Sequence, residues 1–178
     1  MSGIGAKRAI LVVDDEPASV ELLRITLGMD YAVHTAVDGQ RALELLARHP
    51  DIALAIIDQR MPGMTGTELI QQTIEPYPNL IRIILTGYTD IDSLIQAINA
   101  GRVYRYLTKP WNRDELLATV RQGLDVHRLA LENTRLHEEL RRANARLRVE
   151  NAHLKREAKG RYRFDEWRRP AHEDVGHV

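Results

Sequence analysis

Three carboxylates, a hydroxyl and an amine stand where short apolar runs end. Asp14 and Asp15 follow "AILVV", Asp58 follows "IALAII", Thr86 follows "LIRIIL", and Lys109 comes just after "RVYRYL". Singly, each has an ordinary role. An aspartate after a strand commonly caps a helix or opens a turn, Thr86 with Gly87 reads as a turn, and Lys109 with Pro110 as a solvated loop. Jointly, they describe one chemistry. Three carboxylates in one crevice repel each other unless a cation joins them, and oxygen ligands with room for water suit magnesium. Asp58 is the candidate nucleophile, attacking phosphorus to form an acyl phosphate. Asp15, helped by Asp14, would hold the metal that neutralises charge on the transferring group. Lys109 offers a point charge to one phosphoryl oxygen, Thr86 a hydroxyl donor to another, and Gly87 an unobstructed approach.

Such convergence needs a scaffold that gathers strand ends. Short runs rich in β-branched residues, "RAILVV", "YAVHTA", "IALAII", "LIRIIL" and "RVYRYL", alternate with segments of helical period at Pro17–Gly28, Gly39–Arg48, 65–73 and 91–99. This alternation predicts an α/β fold, a parallel sheet with crossover helices. Pro17 suits a first helical turn and Gly28 a helix end. The nearly unbroken apolar character of "AILVV" and "LAII" predicts central strands covered on both faces. In open parallel sheets the ligand crevice lies at the carboxyl ends of the strands, which is where the five polar side chains fall.

From about Asn112 the texture changes. Residues 124–159 contain neither Gly nor Pro and are rich in Leu, Arg, Glu, Ala and Asn. They predict that the last helix of the α/β domain continues outward as one long helix, ended by Gly160. The expected organisation is a domain over 1–123, a helical linker over 124–159 and an irregular tail over 160–178.

Composition excludes several function classes. Lysine plus arginine equals aspartate plus glutamate at 25 each, so net charge gives no argument for nucleic acid. The absence of cysteine rules out disulfides and thiolate metal sites. A bilayer span takes about 20 apolar residues, and "AILVV" is far shorter, so the expected location is cytoplasmic, without a membrane partner. The seven His residues show no paired metal spacing, and the chain lacks "GxxxxGK[ST]".

The strings "VVDDE", "DQRMPGMTG", "LTGYTD" and "YRYLTKPW" stand in the order found in the receiver domain of bacterial two-component response regulators, which residues 7–123 resemble. The resemblance implies a flavodoxin-like, doubly wound five-stranded sheet of order 2-1-3-4-5. It implies that Asp58 is the phosphoacceptor, served by a sensor histidine kinase. Asp14, Asp15, Asp58 and the main-chain carbonyl of Arg60 would form the magnesium site, with Thr86 and Lys109 on the phosphoryl group. The Lys109–Pro110 bond is commonly cis in such domains. Thr86 and Tyr106 would form a two-state switch, Tyr106 rotating into space that Thr86 vacates. Arg60 and Tyr88 flank the site and would set how fast water reaches the acyl phosphate.

The long helix adds a second half. Leu140, Leu147 and Leu154 recur every seven residues, with Asn144 and Asn151 three before the last two. This is a Leu-at-d, Asn-at-a register of the parallel-dimer kind. A second register places Leu136 and Ala143 beside the same leucines. The expected partner is a second copy, in a parallel coiled coil. Arginines crowd 141–169, but Glu138, Glu139, Glu150 and Glu157 interleave with them, as on a solvated face. Direct nucleic acid binding by this segment is therefore not expected, and a DNA-binding basic zipper is the runner-up. "ENAHLKREAKGRYRFDEWRRP" is similar to the linker preceding the ATPase domain of NtrC-type activators of sigma-54 RNA polymerase, and the receiver wording to their hydrogenase-regulating branch. The tail then opens an output domain that these residues do not include, as in a fragment or a shortened regulator. The nearest enzyme alternative is a metal-dependent phosphatase with an aspartyl-phosphate. Those of the haloacid-dehalogenase type resemble "DxDxT" at the first strand, where this chain has "VVDDEP".

Overall fold

The computed structural model describes residues 7–87, 95 and 102–167, with side chains to 161. Five strands form one parallel sheet: β1 (Ala9–Val13), β2 (Ala32–Ala36), β3 (Ile52–Asp58), β4 (Ile81–Thr86) and β5 (Arg105–Thr108). Their order is β2-β1-β3-β4-β5, as expected from the receiver resemblance. Each strand lies within a residue or three of its sequence reading. Every residue of β1, β3 and β4 is buried, as strands covered on both faces must be. The edge strands β2 and β5 are only partly buried.

Three short helices follow the first three strands: α1 (Pro17–Gly28), α2 (Gly39–Arg48) and α3 (Gly66–Thr73). Their starts are written locally. Pro17 occupies the first turn of α1, Asp38 accepts from the Arg41 amide at the head of α2, and Thr65 with Glu68 forms a reciprocal capping box on α3. The helix read at 91–99 lies outside the described residues apart from position 95. The fourth described helix, α4 (Arg113–Trp167), begins where the Asn112 side chain accepts from the amides of Asp114 and Glu115.

Period-two alternation along the strands divides the core in two. Leu11, Val13, Ala55, Ile57 and Ile84 pack with Ala42 and Leu46 of α2 and Leu69 and Ile70 of α3. Ile10, Val12, Leu54, Ile56, Ile83 and Leu85 pack with Leu23 and Leu27 of α1 and Leu116, Val120 and Leu124 of α4. Gly123 lets α4 lie close, since a Cβ there would stand 3.0 Å from methyls of Ile81 and Leu54.

Two boundaries differ from the sequence reading. Gly160 does not end the long helix, which runs through it to Trp167, so the tail is not irregular from 160. Glycine inside a helix costs about 1 kcal/mol relative to alanine, and the helix formers Ala158, Lys159 and Arg161 around it outweigh that. The chain also divides into compact units at Met1–Leu131 and Glu132–Val178, so the first turns of α4 past 123 belong to the first unit. Among the described residues, no helix is long and apolar enough to cross a membrane.

Candidate functional site

Strand order reverses at β1, whose neighbours β2 and β3 are followed by helices on a shared face of the sheet. A crevice opens at the carboxyl ends of β1 and β3, as doubly wound sheets require. A cleft of about 470 Å³ lies there, lined by Asp14, Asp15, Glu16, Asp58, Gln59, Arg60, Thr86, Gly87 and Lys109. The five polar residues singled out from the sequence thus come together, with Arg60 and Gly87 beside them.

Asp58 is the last residue of β3 and only 5% exposed, and Asp14, just past β1, is 1% exposed. Lys109 donates from Nζ to both, at 2.6 Å to Asp58 Oδ1 and 2.9 Å to Asp14 Oδ2. The Arg60 amide donates to the second oxygen of Asp58 at 2.9 Å. Asp14 is further held by the Glu16 amide at 2.9 Å and the Ser19 hydroxyl at 2.6 Å. Asp15 is exposed and faces the same cleft. One carboxylate oxygen from each of Asp14, Asp15 and Asp58 lies within 4.8 Å of the other two.

Charge in this cluster is unbalanced. Burial, the largest influence, pushes the Asp58 carboxyl above its usual range. The hydrogen bond and charge of Lys109 pull it down, Asp14 pushes it up again, and it remains raised. Burial likewise disfavours the charged form of Lys109, but Asp58 and Asp14 together outweigh it and hold the amine above its usual value. Three carboxylates against one ammonium leave room for a hard divalent cation, and all-oxygen donors of mixed exposure suit magnesium rather than a softer ion.

Thr86 ends β4, fully buried, and its hydroxyl donates to the Gly87 carbonyl at 3.1 Å. The Lys109 amide donates to the Thr86 carbonyl at 2.8 Å, and Lys109–Pro110 is cis. Tyr106 pairs with Ile84 and Thr108 with Thr86 across β4 and β5, so Tyr106 and Thr86 share a face of the sheet, and Tyr106 is half-buried against the core. Tyr88 lies outside the described residues.

Three supporting residues were not singled out from the sequence. Ser19 braces Asp14, and its only signal was that Pro17 starts the helix carrying it. Gln59 grips the head of α3, its Oε1 accepting from the Thr67 amide at 3.1 Å and its Nε2 donating to the Thr67 hydroxyl at 3.3 Å. Gly66 lets that helix start against the end of β3, since a Cβ there would lie 2.6 Å from the Asp58 carbonyl oxygen.

The model of the response regulator receiver domain matches residues 10–121. The chain belongs to the response regulator receiver family. Among curated relatives, this receiver chain is 37% identical over 156 residues to the hydrogenase transcriptional regulatory protein HoxA of Cupriavidus necator, covering 88% of this chain and 32% of HoxA. It is 36% identical over 121 residues to the DNA-binding transcriptional regulator NtrC of Escherichia coli, covering 66% of this chain and 25% of NtrC. The receiver thus spans a third or less of those regulators. Among solved structures, it is similar to the signal receiver domain of an HD domain-containing protein from Pseudomonas fluorescens Pf-5. That match has a TM-score of 0.67 and 35% identity, and covers 74% of this chain and 97% of that one.

Proposed function

We propose that this receiver accepts a phosphoryl group on Asp58 from the phosphohistidine of a sensor kinase and relays the change to a transcriptional output. The observation that carries this reading is the setting of Asp58: a buried strand-end carboxylate between two other aspartates, with a lysine and a backbone amide already on its oxygens. In the transfer, an Asp58 oxygen bonds to phosphorus as the phosphorus–nitrogen bond to the donor imidazole breaks, giving an acyl phosphate and free histidine. Asp14, Asp15, Asp58 and the carbonyl of Arg60 would hold Mg2+, which when bound offsets the charge of the phosphoryl oxygens. Lys109 exchanges its hold on Asp58 for a phosphoryl oxygen. Thr86 turns its hydroxyl from the Gly87 carbonyl toward another, and Tyr106, on the same sheet face, follows into the space released. Arg60, whose amide already binds Asp58, also screens the acyl phosphate from water.

Incubation with a small phosphoryl donor and Mg2+ tests this directly. Label should reach about one equivalent per chain, be base-labile and released by hydroxylamine in the manner of an acyl phosphate, and vanish in Asp58→Ala. Turnover of many donor equivalents would favour a phosphatase, and undiminished label in the variant would remove Asp58 from its role.

The output side rests on α4. Leu136, Leu140, Leu147 and Leu154 are each more than half exposed, an apolar stripe that a lone helix leaves in water. The reading that accounts for it is a parallel homodimer, aligning two receivers above output domains of the kind HoxA and NtrC carry as transcriptional regulators. Sedimentation of the chain at micromolar concentration should give twice the monomer mass.

A further inference from the structure

The two heptad registers legible in α4 compete only if one of them must run the whole length. Carried downstream, the register with Leu136 brings Ala143, Glu150 and Glu157 to the seam. Carried upstream, the register with Asn144 replaces Leu136 by His137. A seam of Leu136, Leu140, Asn144, Leu147, Asn151 and Leu154 avoids both faults. Its successive steps are four, four, three, four and three, so two fours adjoin at Leu140. That is a four-residue insertion into the heptad, a stutter, which locally unwinds a coiled coil without breaking its helices. The helix is continuous through this point, and the four leucines are 52–58% exposed.

We propose that two copies of this chain pair in parallel and in register along a seam that changes heptad phase once, at Leu140. This rests on the dimer reading above and specifies its geometry. Charge fixes the direction. Below the stutter one flank of the seam carries Arg141, Arg148 and Lys155, and the other carries Glu150 and Glu157. In a parallel pair, Glu150 of one copy lies beside Lys155 of the other. In an antiparallel pair, the basic flanks face each other and repel. Within the helix, Arg135 pairs with Glu139, Glu138 with Arg142 and His153 with Glu157. Among the described residues, Glu150, Arg148 and Lys155 belong to none of these pairs. Asn144 and Asn151 fall at a positions, where paired asparagines select two strands and one alignment at some expense in stability.

The chain has no cysteine, so single cysteines placed along α4 of the full chain report contacts without background. The set is Leu136→Cys, His137→Cys, Ala143→Cys, Asn144→Cys, Leu147→Cys and Glu150→Cys under mild oxidation, read as disulfide-linked dimer. Positions 136, 144 and 147 should cross-link at least about tenfold faster than 137, 143 and 150, because a disulfide tolerates only a narrow separation of its Cα atoms. Cross-linking at 137 as fast as or faster than at 136, or cross-links at 143 and 150 in place of 144, overturns the phase change while leaving the dimer intact. Cross-linking at no position, with monomer mass for the unsubstituted chain in sedimentation, overturns the dimer reading and this proposal with it.

Discussion

Two buried charged clusters sit in this sheet and are satisfied in opposite ways. Arg82, on β4 and 6% exposed, is surrounded by neutral acceptors. Its Nε donates to the Thr73 hydroxyl, Nη1 to the Leu80 carbonyl, and Nη2 to the carbonyls of Thr73 and Tyr77, all at 2.7–2.8 Å. Thr73 ends α3, so the guanidinium also meets the negative end of a helix. Burial lowers the Arg82 pKa, but guanidinium stays protonated in proteins, and each of its nitrogens has a partner. At the other cluster Asp14 and Asp58 share the Lys109 ammonium, and a carboxylate oxygen of Asp15 lies within 4.8 Å of theirs. The difference separates structure from function. A charge saturated by fixed dipoles holds elements together and asks for nothing more, whereas negative charge left over after folding favours a cation.

The contrast predicts its own largest effect at Arg82. Arg82→Met keeps most of the packing but removes four hydrogen bonds at once, leaving the Thr73 and Tyr77 carbonyls with only the amides of Tyr77 and Leu80, and should cost about 3 kcal/mol in urea unfolding. Phosphoryl labelling per folded molecule should stay unchanged. A midpoint equal to the parent's would mean water replaces the guanidinium freely, and the cluster would lose its structural standing. The next effect belongs to the other cluster. Mg2+ at about a hundred times its dissociation constant should stabilise the protein by ~2.7 kcal/mol, reversibly on chelation. Arg82→Met should retain this increment and Asp15→Asn should lose most of it. A melting temperature indifferent to Mg2+ would show that the excess negative charge is not a cation site.

The same contrast explains what the sequence could tell. Asp14, Asp58 and Thr86 were legible because each is polar at the end of a strand-like, mostly apolar run, and a parallel sheet puts all such junctions on one edge. Arg82 was passed over inside "LIRIIL" because its acceptors are main-chain carbonyls, which no sequence displays. Ser19 and Gln59 were missed for a related reason: their partners are set by the angle at which α1 and α3 leave the sheet. Gly160 misled in the other direction. A glycine was read as a stop, but its local cost is smaller than the helical preference of its neighbours, so composition over a window decided where one residue did not.

The smallest effect is also the most diagnostic, because its sign tells which kind of cluster Asp58 belongs to. Its carboxyl is raised by burial first and by Asp14, and Lys109 does not fully reverse this. The folded protein therefore binds this proton more tightly than the unfolded chain, whose value is ~3.9. It follows that stability falls as pH rises from there through the raised folded value, and the full cost persists above it. Asp58→Asn removes the cost while Lys109 keeps its 2.9 Å bond to Asp14. Without Mg2+ at neutral pH the variant should be more stable than the parent by on the order of 1 kcal/mol, and its urea midpoint should lack the decline with pH that Asp58 gives the parent. Adding Mg2+ should narrow the gap, since the cation supplies to the parent what folding withheld. A variant less stable than the parent in metal-free buffer would mean that the Lys109 ion pair outweighs the burial of Asp58. Asp58 would then be a structural charge of the same kind as Arg82.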